Sequence, residues 1–509
     1  MNIQRDITAD DHIETGLAFH RENDFENAVL YYEKALRLNR QDGQLYFLLG
    51  TALSQLKNFK EAEYFLLKSL HENPANITTY QNLGRLYSET NNLPAAKSIY
   101  EKAIEIDPDC FDIYFDLIHI YLFFRLFDQA LTYTKLLEAN RYNLSKTYFL
   151  FSIIYDTLNQ CQRAIHYCQL SLQLDQSQNW VRSQLAFMHM KLGKLIYMWN
   201  AFEIRHAVVP HDKIQRKFGG RWKGENFKNN SLVILGEQGL GDIIQFIRFA
   251  KQIKEKGGKV YYVGAPSLFK LLKNVEGIDA CVDEKSNDFK CRYSVFVMSV
   301  FKPLKLSEKN LPSFSPYIKA DNFFIQKWAD RLSRDQFNIG IVWQGNREHG
   351  KDPFRSFHLS YFYPLSQVKN VRLISLQKHH GLEQLNECPA DMNLTNWASE
   401  MDTEGDAFVD TAAIIHHLDL VITIDSAIAH LAGAMGRPVW TVLGFGSDWR
   451  WMTDTSETIW YPSMRLFRQH VGEEPEALFQ RVADAAAQQV DLKFNETVPD
   501  TMMPKLNRA

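Results

Sequence analysis

The 509 residues are too many for one hydrophobic core and require two to four domains. Apolar residues at 45% and charged residues at 23% exclude long disorder and fibrous repeats. A net charge of -3, from 57 basic and 60 acidic residues, leaves no overall basic field for nucleic acid or anionic lipid.

Six cysteines form no CxxC pair and no Cys/His ligand cluster, so neither a disulfide framework nor structural zinc is expected. The opening MNIQRDITADDHIETG has no apolar signal core, and no stretch approaches the ~20 apolar residues of a membrane span. A cytoplasmic protein without a transmembrane segment is the expectation.

In chain order the first feature is a ladder: Ala28, Ala62, Ala96, Ala130 and Ala164 recur every 34 residues, the tetratricopeptide period. Gly16, Gly50 and Gly84 recur with it at the small position of the first helix, and Tyr32, Leu66 and Tyr100 follow four residues after the alanines. Small residues let paired helices approach, and large ones fill the grooves between repeats. The fourth and fifth units carry Ile118 and Ser152 in place of glycine. A sixth, with Leu185, Ala186 and Gly193 in register but Met198 at the alanine position, reads as a cap docking on the next domain. The expectation is a solenoid over 1–205, about five repeats plus a partial capping repeat, that binds a protein partner on its concave face. Asp107-Pro108-Asp109 has the outline of a metal-binding DxD but falls in a turn between repeats.

A connector is expected over 206–230. From Ser231, short apolar runs alternate with amphipathic helices, the pattern of doubly wound α/β structure. A first lobe over 231–333 takes strands at Ser231–Leu235, Lys259–Val263 and Tyr293–Met298. A second over 334–495 takes Asn338–Trp343, Arg372–Leu376, Leu420–Ile424 and Pro438–Leu443, leaving 496–509 as a tail. The fold class is therefore α plus α/β: a helical solenoid followed by two parallel, Rossmann-like lobes.

Two strand-to-helix loops carry candidate chemistry. Gly236-Glu237-Gln238-Gly239-Leu240-Gly241-Asp242 is neither a dinucleotide fingerprint nor a P-loop. Its acidic residues would repel phosphate and suit a hydroxyl, although Asp242 alone could simply cap its helix. Asp425-Ser426-Ala427-Ile428-Ala429-His430 places a capping serine and free amides at the carboxyl end of a strand, where a diphosphate fits. His430, over one turn into the helix, reads equally as a core histidine or a ligand contact.

With Gly340–Asn346, Arg355-Ser356, Asp410–Ala413, Asp448-Trp449-Arg450-Trp451 and Trp460–Phe467, these loops resemble, in order over about 260 residues, the heptosyltransferase superfamily of GT-B glycosyltransferases. The likeness is to its subgroup with tetratricopeptide repeats; the architecture also resembles O-GlcNAc transferases. The resemblance implies an inverting, metal-independent transferase of hexosyl or heptosyl type with no cofactor. It would use a nucleotide-sugar donor and a glycan, lipid or protein acceptor. By the same carry-over Asp242 matches the general base, with Glu237 as the next candidate, and Asp425, Ser426 and His430 match the donor-binding turn. Arg355, or Lys351 as its substitute, lies near the phosphates, and Trp343 and Asn346 fall on the donor side. The alternative is a weak or inactive GT-B-like scaffold that uses its repeats for protein interaction.

Overall fold

A computed structural model describes residues 8–38, 42–201, 203, 217–286, 289–332, 335–350, 352–403 and 405–494. Packing divides the chain into two compact units, Met1–Ile154 and Tyr155–Ala509.

The first unit is a run of antiparallel helix hairpins: α1 (Ala9–Arg21), α2 (Phe25–Arg37), α3 (Gly43–Gln55), α4 (Phe59–Glu72), α5 (Ile77–Glu89), α6 (Leu93–Ile106), α7 (Phe111–Phe123), α8 (Phe127–Ala139) and most of α9 (Leu144–Thr157). The glycine ladder works as its spacing requires. A Cβ on Gly16 would lie 2.5 Å from Tyr32 Cε1, and one on Gly50 2.7 Å from Leu66 Cγ. Where Ile118 replaces glycine, the facing position sixteen residues on is the small, fully buried Thr134. A second period accompanies the first: Asn23, Lys57, Asn91, Arg125 and Asn159 all take φ between 57° and 61°, reversing the chain inside each hairpin. Asp107 Oδ1 accepts from Asp109 N at 3.0 Å, so the DxD outline is a turn between α6 and α7.

The second unit begins inside α9 and continues through α10 (Cys161–Leu174) and α11 (Asn179–Lys191). The expected boundary at residue 205 differs from the division at 154/155 because this last hairpin packs on the lobes. Gly446 N donates to Thr157 O at 3.0 Å, Ala186 and Met190 share the lobes' buried cluster, and Trp199 Nε1 donates to Leu306 O at 2.6 Å. A buried Lys191–Asp156 ion pair ties α11 to the end of α9.

The first lobe is a five-stranded parallel sheet in the order β1-β5-β2-β3-β4: β1 (Gly220–Arg221), β2 (Ser231–Leu235), β3 (Lys259–Val263), β4 (Ala280–Val282) and β5 (Tyr293–Phe296). The second is a six-stranded parallel sheet in the order β11-β10-β9-β6-β7-β8: β6 (Phe337–Val342), β7 (Val371–Ser375), β8 (Leu394–Asn396), β9 (Leu420–Ile424), β10 (Val439–Leu443) and β11 (Met464–Arg468). Strands β6 and β9 are wholly buried, which explains their unbroken apolar sequences.

Other expected boundaries also shift. Of the connector, 206–216 and the tail 496–509 lie outside the described residues, while 217–230 belongs to the first lobe: β1 pairs with β5, and Phe218, Trp222 and Phe227 are buried. Helix Asn322–Ala329, expected in the first lobe, packs on the second. There Lys327 Nζ and Trp328 Nε1 both reach Asp410 Oδ1 at 2.7 Å. Its apolar face needed a partner, and the second lobe's Trp397 supplies one, with ring centres 5.2 Å from Trp328.

Candidate active site

In each parallel sheet the crossover direction reverses, at β2/β5 and at β6/β9, and loops splay apart beyond the strand ends there. The loops after β2, β6, β9 and β10 enclose a cleft of about 570 Å³ lined by Asp242, Asn346, Arg355, Asp425, Ser426, His430, Asp448 and Arg450, among others. An adjoining, more apolar chamber of about 490 Å³ shares Asn346 and Ser426 and adds Val342, Leu376, Phe408 and Ile428. Gly241 makes the close approach possible, because a Cβ there would lie 3.0 Å from His430 Cδ2 and 3.2 Å from Ala427 Cα.

Asp242 has two engagements. As the third residue of helix Leu240–Phe246 its Oδ2 accepts from Gly239 N at 2.9 Å, the capping role open from sequence. Its Oδ1 pairs with the guanidinium of Arg450 from the second lobe. Arg450 also meets Gln245 Oε1, holds Asp448 Oδ1 at 2.8 Å and stacks 4.6 Å from the Trp449 ring. Burial alone would lower the Arg450 pKa, but Asp448, Asp242 and Asp425 reverse this and raise it. With both oxygens so engaged, Asp242 still lines the cleft.

Across the cleft, Ser426 caps helix Ala427–Ala434: its Oγ accepts from Ile428 N at 3.2 Å and lies 3.0 Å from Thr423 Oγ1. Burial, then the like charge of Asp448, pushes the Asp425 carboxyl up to about 6, against the pull of Trp451, Arg355 and Arg450. His430 stacks on Trp451 with ring centres 5.3 Å apart, and its Nδ1 lies 3.0 Å from Tyr461 Oη. Burial, reinforced by Arg450 and Arg248, holds its pKa well below the usual histidine value despite Asp448, so the ring is neutral at physiological pH. Arg355 lies over Gly345, with Nε 3.4 Å from Asp352 Oδ1. Asp352 is itself fixed by Ser356 Oγ and Gln344 Nε2, both at 2.7 Å.

Two sequence candidates lie away from the cleft's lining. Glu237 is buried, and its Oε1 accepts from Met298 N at 3.2 Å. The turn aims it at the end of β5, so it does not line the cleft with Asp242. Trp343 is fully buried, with Nε1 donating to Gly381 O at 3.1 Å, and serves the core of the second lobe. Lys351 lies outside the described residues. Asp448 and Arg450 were not singled out as site residues, although an arginine between two tryptophans, two places after an aspartate, marked a buried cation.

Residues 354–486 match glycosyltransferase family 9 (heptosyltransferase), a span that holds Arg355, Asp425, Ser426, His430, Asp448 and Arg450; Asp242 lies outside it. Residues 19–86 and 77–110 match tetratricopeptide repeats. The chain is 25% identical over 301 residues to the protein FlbA of Caulobacter vibrioides, covering 54% of this chain and 50% of FlbA, so it spans about half the length of the curated relative it matches. Among solved structures, similarity is found to a tetratricopeptide repeat protein from Parabacteroides merdae (18% identity, TM-score 0.36, 39% of this chain and 78% of that one). It is also found to MamA (22% identity, TM-score 0.24, 25% and 73%).

Proposed function

Since the chain carries tetratricopeptide repeats and a glycosyltransferase family 9 domain, we propose that it is an inverting, metal-independent glycosyltransferase whose repeats recruit the acceptor or a protein partner. One observation carries the reading: a single cleft joins a carboxylate from the first lobe, Asp242, to a capped helix N-terminus, an arginine and a neutral histidine from the second. The donor's diphosphate lies against Ser426, the first amides of helix Ala427–Ala434 and Arg355, where the helix dipole and a guanidinium stabilise the leaving charge. The apolar chamber beside it takes the nucleoside. Asp242 accepts the proton of the acceptor hydroxyl as that oxygen bonds to the anomeric carbon. The bond from that carbon to phosphate breaks, and its electron pair leaves with the nucleoside diphosphate. Arg450 holds one oxygen of Asp242 toward the cleft during this step.

The test is Asp242→Asn, which retains the cap and nearly the same shape. Melting temperature and binding of nucleoside diphosphates should survive, while transfer from a panel of labelled nucleotide sugars into lysate acceptors should fall by about 10²–10⁴-fold. Turnover within about threefold of wild type would remove Asp242 from the chemistry. A panel in which no nucleotide sugar raises the melting temperature of the wild type would favour a scaffold instead.

A further inference from the structure

Beneath the cleft lies a buried cation that the proposed reaction does not use. Arg248 donates from Nη1 to Trp460 O at 2.8 Å, from Nε to Gln245 O at 2.8 Å and from Nη2 to Tyr317 Oη at 3.1 Å. Its guanidinium carbon sits 4.6 Å from the Tyr461 ring centre and 5.0 Å from that of Tyr317. These acceptors are neutral oxygens, an expensive setting for a charge unless the charge does work there. Tyr317 gives its own hydroxyl proton to Ile244 O at 3.0 Å, so its lone pairs turn to the cation.

Tyr461 links this cation to His430, which lines the cleft. It is fully buried, and its ring is seated against Gly433, where a Cβ would come within 2.5 Å of Cγ. Its hydroxyl oxygen lies in the field of Arg248 and 3.0 Å from His430 Nδ1. A cation beside a phenol draws the oxygen's lone pairs toward itself and turns the O–H away. The proton is then left to His430 Nδ1 or to Tyr317 Oη, whose lone pairs Arg248 already engages; given to Nδ1, it makes a neutral imidazole that accepts there and carries its own hydrogen on Nε2.

We propose that Tyr461 and Arg248 are positioning residues that hold His430 in its Nε2–H tautomer, so that the imidazole presents a fixed hydrogen-bond donor to the cleft and exchanges no proton with substrate. The groups around the ring agree. Trp451 fixes its plane, and Arg450 and Arg248 both oppose the imidazolium, against the pull of Asp448. Arg248 belongs to the first lobe while Trp460 and Tyr461 belong to the second, so the tautomer is set only when the lobes are apposed. The consequence for donor binding rests on the cleft being the donor site; the tautomer itself does not.

The experiment is nitrogen NMR of the full chain labelled with ¹⁵N-histidine, His430 being identified by the resonances lost in His430→Gln. Wild type should show an unprotonated, hydrogen-bonded Nδ1 and a protonated Nε2, without titration across the physiological range. Tyr461→Phe should move the ring to a mixture of tautomers, whereas Arg248→Lys, which keeps the charge, should preserve the wild-type pattern. A protonated Nδ1 in wild type overturns the proposal without any variant having to fold, as does a Tyr461→Phe spectrum identical to wild type. Inorganic pyrophosphate, as the diphosphate probe, should bind Tyr461→Phe roughly two- to tenfold more weakly, the scale of one hydrogen bond. Pyrophosphate that fails to bind wild type would count against the donor-site reading while the NMR still decides the tautomer.

Discussion

Asp425→Asn should make the second unit more stable, and increasingly so as pH rises. The Asp425 carboxyl is lifted from 3.8 to about 6 in the folded chain, first by burial and then by Asp448. Between those values the folded state binds more protons than the unfolded one. Stability fully present below the unfolded value is therefore lost as pH rises to and through about 6. At ~1.36 kcal/mol per pH unit, the ionised carboxylate costs about 3 kcal/mol once the pH is well above that point. Roughly half of this should appear between about pH 5 and about pH 8. Asparagine keeps the shape and removes the charge, so the difference between variant and wild type isolates this group from every other titration. Urea unfolding followed by tryptophan fluorescence suits the purpose, because all ten tryptophans lie between residues 180 and 460 and report only on the second unit. A variant less stable than wild type near pH 8, or one whose advantage is the same at both pH values, would refute the reasoning. The expected outcome identifies Asp425 as a group retained at the cost of stability, as binding sites often require.

Arg450→Met should destabilise the second unit by about 3–5 kcal/mol, since it leaves Asp242 and Asp448 beside Asp425 without their shared counter-charge; a loss below about 1 kcal/mol in the same urea experiment would show that solvent supplies the compensation. Arg355→Ala should weaken nucleoside diphosphate binding by about 1.5–3 kcal/mol in calorimetry, and an unchanged affinity accompanied by a loss in Lys351→Ala would transfer the role to Lys351. Gly84→Ala would drive a Cβ into the ring of Tyr100 and should cost the first unit about 1–3 kcal/mol. The shift should appear in circular dichroism with tryptophan fluorescence unmoved, and a fluorescence transition that moves with it would contradict the division into two units.

The repeats were legible because their packing rule is local. Gly16 and Tyr32 are a hairpin apart, and the same exchange of small against large recurs every 34 residues. The interior strands were legible because burial on both faces writes an unbroken apolar run, as in β6 and β9. Strands β1, β4 and β8 are two or three residues long and only partly buried or exposed, so they left no such run. The boundaries failed for a related reason. Composition marks where a chain becomes polar, whereas units are defined by where contacts go. The α10–α11 hairpin looks like solenoid by its period yet makes its contacts with the loops after β10.

The site was legible only as far as single loops carry it. Ser426 could be read as a cap from its place between strand and helix, and its hydroxyl does cap. Asp242 could be read as cap or base, and the local sequence cannot separate the two because the capping oxygen and the outward oxygen belong to one carboxylate. What bears on the choice arrives 208 residues later, when Arg450 takes Oδ1 while Gly239 N takes Oδ2. A residue that only capped its helix would need no buried guanidinium from the other lobe. Holding Asp242 from both lobes ties its orientation to their apposition. That is the arrangement expected if its carboxylate must meet an acceptor from one side of the cleft and a donor from the other.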